Sequence, residues 1–170
     1  MSPTGLSDEM ISMMISMGPE QRAATLNGFL SGLDRVLGIQ FISVSEDTVH
    51  ATCEVTGNHL QVFGIVHGGV YASLAETCCS TGAAISVLSK DRNVVGRSNT
   101  THFLKAARDK ETLYIHAWFH EEVSNKELVW KCRISKDSEV DFAQSTVVLN
   151  VLERNHKVGG AVLDFIATAD

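Results

Sequence analysis

At 170 residues the chain is long enough for one domain with a proper core and too short for two ordinary ones. Its hydrophobic (44%) and charged (20%) fractions are ordinary for a globular protein, and a formal net charge of -6 argues against nucleic acid or a basic membrane-binding face. Cys53, Cys78, Cys79 and Cys132 form no C-x-x-C pair and no metal-type spacing, so they read as buried reduced thiols in a cytoplasmic protein.

Asp8 and Glu9 stand where a signal peptide would carry basic residues, and no apolar run reaches membrane-spanning length. Met10, Ile11, Met13, Met14 and Met17 recur at helical spacing and predict a docking helix or N-terminal arm. Pro19 suits the first turn of a second helix, which Phe29, Leu30, Leu33, Val36 and Leu37 continue as an apolar stripe and Gly38 ends. From Ile39 the period changes to two. Residues 39–45 and 48–55 read as strands about a Glu46-Asp47 turn, with Val49, Ala51, Cys53 and Val55 on one face. Gly57 and Asn58 break the second strand, and a loop holding Gln61 and Gly64 leads to His67.

A helix follows, from about Gly69 to Leu88, and it is apolar on nearly all sides. Such a helix is an interior one, wrapped by other structure. Between Glu54 and Lys90 the one formally charged side chain is Glu76, and a buried charge needs either a partner or a use. Strands are then expected over about 93–104, 112–120, 127–136 and 140–153, with turn chemistry at Ser124-Asn125-Lys126 and Lys136-Asp137-Ser138. The fold class is therefore α+β: an antiparallel sheet of five or six strands curled round one central helix. Residues 1–35 form an N-terminal helical extension, 36–154 the main domain and 155–170, with Gly159-Gly160, a tail.

The helix start at His67-Gly68-Gly69 presents free amides to an anion, and two glycines let a ligand reach the backbone. Glu76 is eight residues past Gly68, hence roughly 12 Å along the axis. One chain cannot bring both to a single carbonyl, because a reacting carboxylate must come within about 3–3.5 Å. Two antiparallel copies of the helix can, so a homodimer with shared sites is expected. Ser80, one turn beyond Glu76, either orients Glu76 or a water, or bonds back to its own helix.

Gln61, Gly64, His67, Gly68 and Gly69, followed by Glu76 and Ser80 and later by Asn99 and His102, resemble the hotdog-fold acyl-CoA thioesterases. The likeness is to the branch with a helical glutamate, including 4-hydroxybenzoyl-CoA and 1,4-dihydroxy-2-naphthoyl-CoA thioesterases. It covers about residues 36–153. The resemblance implies a hotdog homodimer, usually paired into a tetramer, that hydrolyses acyl- or aroyl-CoA without cofactor or metal. Glu76 would be nucleophile or general base, the Gly68 amide would polarise the carbonyl, and Gln61 and His67 would line the thioester. Ser80 and His102 would position water or the acyl group. Gly69 and Asn58 would contact substrate, and Lys105 and Arg108 would meet CoA phosphates or else form a solvated basic turn.

Other signals fail. His116 and His120 lie about 13 Å apart on a strand, too far for one metal. Tyr71, Trp118 and Trp130 read as packing residues. Two competing readings are a hotdog hydratase or dehydratase and a non-catalytic acyl-CoA-binding or scaffolding protein.

Overall fold

The computed structural model describes residues 8–137, 140–154, 156–158 and 161–162; Gly159-Gly160, most of the expected tail and Ser138 of the second turn lie outside these. Three short helices come first: α1 (Asp8–Ser16), α2 (Pro19–Gly28) and α3 (Gly32–Leu37). Strands β1 (Ile39–Val44) and β2 (Thr48–Glu54) precede the long helix α4 (Gly68–Leu88). Then follow β3 (Arg92–Phe103), β4 (Thr112–Ser124), β5 (Glu127–Ser135) and β6 (Asp141–Glu153), with a small hairpin of β7 (Lys157–Val158) and β8 (Ala161–Val162).

The main sheet is antiparallel, in the order β1-β2-β4-β5-β6-β3. Strands β4, β5 and β6 make the expected meander. β3 returns beside β6 at one edge, which no short turn specifies. The helix α4 lies against the sheet, and alternate strand residues close on it: Val49, Ala51 and Cys53, then Leu113, Ile115 and Ala117, then Val147 and Leu149, all buried. Trp130, fully buried on β5, packs its ring against Gly82 so closely that any Cβ there would overlap it. All four thiols are free and buried, and burial raises Cys53 to about 11.

The two sheet edges are treated differently. Edge strand β1 is covered by α2, where the Asn27 amide pairs with Phe41 as a strand would: Nδ2 donates to Phe41 O and Oδ1 accepts from Phe41 N, both at 2.9 Å. The opposite edge, β3, is 12 residues long, and β6 pairs with one side of it.

Two expectations need correction. The apolar stripe does not run through one helix, because the chain breaks at Phe29-Leu30-Ser31 and restarts at Gly32. Of that stripe Leu37 is buried, while Phe29, Leu33 and Val36 are 47%, 61% and 67% exposed, since α3 is too short to bury more than one face. Gly38 ends it with φ of 63°, as expected of a helix stop. Glu76, second, is half-buried in the single chain and not deep in the core: edge strand β3 reaches it through Gly96 and Asn99, and part of its surface is left open.

The N-terminal helices are tied down by polar contacts. Buried Arg22 donates to the carbonyls of Met14 and Ile15 at 2.8 and 3.0 Å, serving acceptors that the end of α1 leaves unpaired. Asp34 of α3 accepts from Thr77 of α4 at 2.7 Å.

Candidate active site

The approach to α4 is a tight loop. Leu60 bridges Val66, Gln61 N donates to Ile65 O, and Gly64 N donates to Gln61 O, a turn that Gly64 makes with φ of 71°. Gln61 is half-buried at its base, while Val62 and Phe63 stand out at its tip. His67 is held through its backbone: its N–H donates to the carbonyl of His59 at 2.9 Å, and His59 itself is buried.

The side chain of His67 caps the helix. Its Nδ1 accepts from Gly69 N at 2.9 Å, which leaves the proton of a neutral ring on Nε2, facing outward from an exposed residue. The Gly69 amide is thereby consumed, whereas the Gly68 amide meets no acceptor among the described residues. Gly68 has no Cβ for a second reason. The Phe103 ring lies on it, and a Cβ would come within 2.9 Å of Cζ. The chain after Phe103 stays close to the helix start: Ala107 N donates to the Tyr71 hydroxyl and Ala107 O accepts from Val66 N, both at 2.9 Å. Lys105 and Arg108 stand exposed on this loop.

Two turns further along α4, the Glu76 carboxylate has a donor on each oxygen. Ser80 Oγ donates to Oε1 at 3.2 Å, and Asn99 Nδ2 donates to Oε2 at 3.0 Å. Of the two readings open for Ser80, the hydroxyl therefore serves the carboxylate. Asn99 also donates to Ala72 O at 3.0 Å, so one amide grips both the helix backbone and its acid. Below them Gly96 of β3 offers bare backbone, and a Cβ there would overlap Glu76 Oε1. Both donors are neutral, so the carboxylate is held without being neutralised.

The structure thus brings together Glu76 and Ser80 in one cluster, and His67, Gly68 and Gly69 in another. A continuous α4 keeps the two clusters apart within one chain, as the axial rise requires. Asn58 is exposed on a short 3-10 turn (Gly57–His59). His102 lies opposite Gln144 on the outer sheet face, whereas Asn99, Thr101 and Phe103 face the helix, so it joins neither cluster. Sequence reasoning noticed Asn99 only as part of a pattern and missed Gly96. An isolated glycine within a strand was the available signal, because it marks close approach of another group.

A family model described as Thioesterase superfamily matches residues 63–143. A 1,4-dihydroxy-2-naphthoyl-CoA hydrolase from Listeria monocytogenes is 33% identical over 109 residues, 64% of this chain and 85% of that one. A 1,4-dihydroxy-2-naphthoyl-CoA thioesterase from Arabidopsis thaliana is 28% identical, covering 68% of this chain and 72% of its own. Among solved structures, a thioesterase from Haemophilus influenzae superposes with a TM-score of 0.71 at 26% identity, over 81% of this chain and 96% of that one.

Proposed function

This chain belongs to the thioesterase superfamily and is a hotdog-fold thioester hydrolase, and on that premise we propose that it cleaves an acyl-CoA thioester to the free acid and CoA. The observation that carries the reading is the half-buried Glu76 carboxylate, gripped by two neutral donors between α4 and β3. A carboxylate so held is fixed in direction and has lone pairs left for a substrate.

In the proposed site Glu76 of one chain meets the helix start of a second. Among the described residues β3 pairs with β6 on one side, and an antiparallel copy seated beside Glu76 along its other side brings its own Gly68 amide to the thioester carbonyl. That amide, at the positive end of a helix, stabilises the oxyanion as the carbonyl is attacked. Glu76 either attacks the carbonyl carbon itself, forming an anhydride that water opens, or takes a proton from the attacking water. Either way the C–S bond breaks, the thiolate leaves as CoA, and water supplies the acid's second oxygen. Gln61 and the Nε2 proton of His67 line the thioester, and Lys105 and Arg108 meet the anionic end of CoA. Asn58 and Gly69 lie on the substrate's path, while His102 is left out because it occupies the other sheet face. The assembly is a homodimer or a pair of homodimers in the cytoplasm. Among the described residues no helix is long and apolar enough to cross a membrane. An aromatic acyl group is the first choice of substrate, since two relatives are named for a naphthoyl thioester, and medium-chain fatty acyl groups are next.

The test is a panel of acyl- and aroyl-CoA thioesters followed with a thiol reagent, alongside sedimentation. Glu76→Gln should lose roughly 10²–10⁴-fold in kcat while remaining a folded oligomer. Wild-type binding of acyl-CoA with no turnover on any thioester would replace the enzyme with a binding protein.

A further inference from the structure

The contacts that hold Glu76 do not end at Asn99. Thr101, two residues along β3 on the same face, donates its hydroxyl proton to Asn99 Oδ1 at 2.8 Å. Its oxygen lies 2.9 Å from Ser145 Oγ, on the paired strand β6. A threonine has one hydroxyl proton and an amide oxygen can only accept. The Thr101 proton is therefore committed to Asn99, and Ser145 must be the donor to Thr101. Ser145 is 5% exposed, so its direction is set within the core. The sequence of donation runs from Ser145 to Thr101 to Asn99 to Glu76.

This order has a consequence for the amide. Turned over, Asn99 would point its oxygen at Glu76 Oε2 and Ala72 O, setting acceptor against acceptor. Only the observed orientation pairs every group, and in it Thr101 supplies the donor that the amide oxygen needs. We propose that Thr101 and Ser145 are positioning residues for hydrolysis: without touching substrate, they hold the Asn99 amide by its oxygen and so keep the Glu76 carboxylate aimed. The proposal rests on Glu76 being the catalytic carboxylate.

Thr101→Val keeps the shape and removes the hydroxyl. It should lower kcat by roughly tenfold with KM nearly unchanged. Thr101→Ser should restore kcat, and Ser145→Ala, which deletes the first donor alone, should lower kcat by less, again with KM nearly unchanged. In an Asn99→Ala background Thr101→Val should add nothing. The proposal is overturned if Thr101→Val and Ser145→Ala keep the wild-type kcat while Glu76→Gln is inactive. It is equally overturned if Thr101→Ser is as impaired as Thr101→Val, which would mark the effect as packing. Full turnover by Glu76→Gln would instead remove the premise.

Discussion

Gly96 and Glu76 are in contact through the absence of a side chain: the carboxylate of one occupies the space that a Cβ on the other would fill. Helix α4 and edge strand β3 can approach at this level because position 96 is bare. Gly96→Ala should therefore displace the acid without unfolding the chain, for residue 96 is exposed and its backbone lies outside the left-handed region. A displacement of about 1 Å at a reacting group can cost on the order of 100-fold in rate. Steady-state kinetics beside thermal melting should show kcat falling by that order with Tm nearly unchanged. A wild-type kcat would mean that the site tolerates a carboxylate placed elsewhere.

His67 carries two tasks that substitution can separate. Its Nδ1 caps α4, and its Nε2 proton faces outward. His67→Ala should cost about 1 kcal/mol of stability, the usual value of a helix cap. His67→Asn, whose side-chain oxygen can accept from the same amide, should recover most of that stability without recovering turnover. Denaturant titrations and kinetics on the two variants decide it: if both are equally destabilised, the cap is unimportant.

Asn27 gives a prediction about the far side of the molecule. Its amide makes two bonds to Phe41 and stands in for a neighbouring strand. Asn27→Ala would leave a half-buried donor and acceptor on β1 unpaired, at roughly 1–3 kcal/mol. Urea unfolding should show that loss, and light scattering should show more aggregation through the newly bared edge. A neutral result would place the covering of β1 in the rest of α2.

Acid stability should depend on His116. Its ring stacks on His50 with centroids 4.4 Å apart, and it sits opposite Arg133 in the sheet. Burial, then the neighbouring His50 and Arg133 charges, hold its pKa below the usual 6.5. The unfolded chain therefore takes up a proton, as pH falls through that usual value, before the folded chain does. Stability should decline from about pH 6.5 down to the lower folded pKa and then level off as far as this group is concerned. His116→Gln should flatten that decline in Tm measured between pH 7 and 5, and an unchanged slope would assign it to other groups.

Much of this was legible in the residues because local pattern and global position agree. Gly68 to Leu88 is apolar round most of its circumference and could be nothing but a central helix; its one acid and the serine a turn later fell out of simple spacing. Strand limits followed from alternation. What could not be read was set by partners distant in sequence. β3 pairs with β6 across about fifty residues, so its place at the edge is a property of the sheet and not of either segment. The service of Asn99 to Glu76 depends on that placement, as does the clearance at Gly96. The break at Phe29-Leu30-Ser31 escaped notice because an apolar stripe continues in register across it. Glu76 read as deeply buried because a sequence cannot tell a helix face covered by its own sheet from one left for something else.

The unequal edges of the sheet have a further result. Among the described residues α2 and Asn27 seal one margin and β3 pairs with β6 alone at the other, which gives each molecule a valence of one for strand addition. Joining two free margins uses up both, so growth halts after a single step and has no route to a fibre. If the proposed shared site holds, the outermost strands give the molecule a means of counting to two.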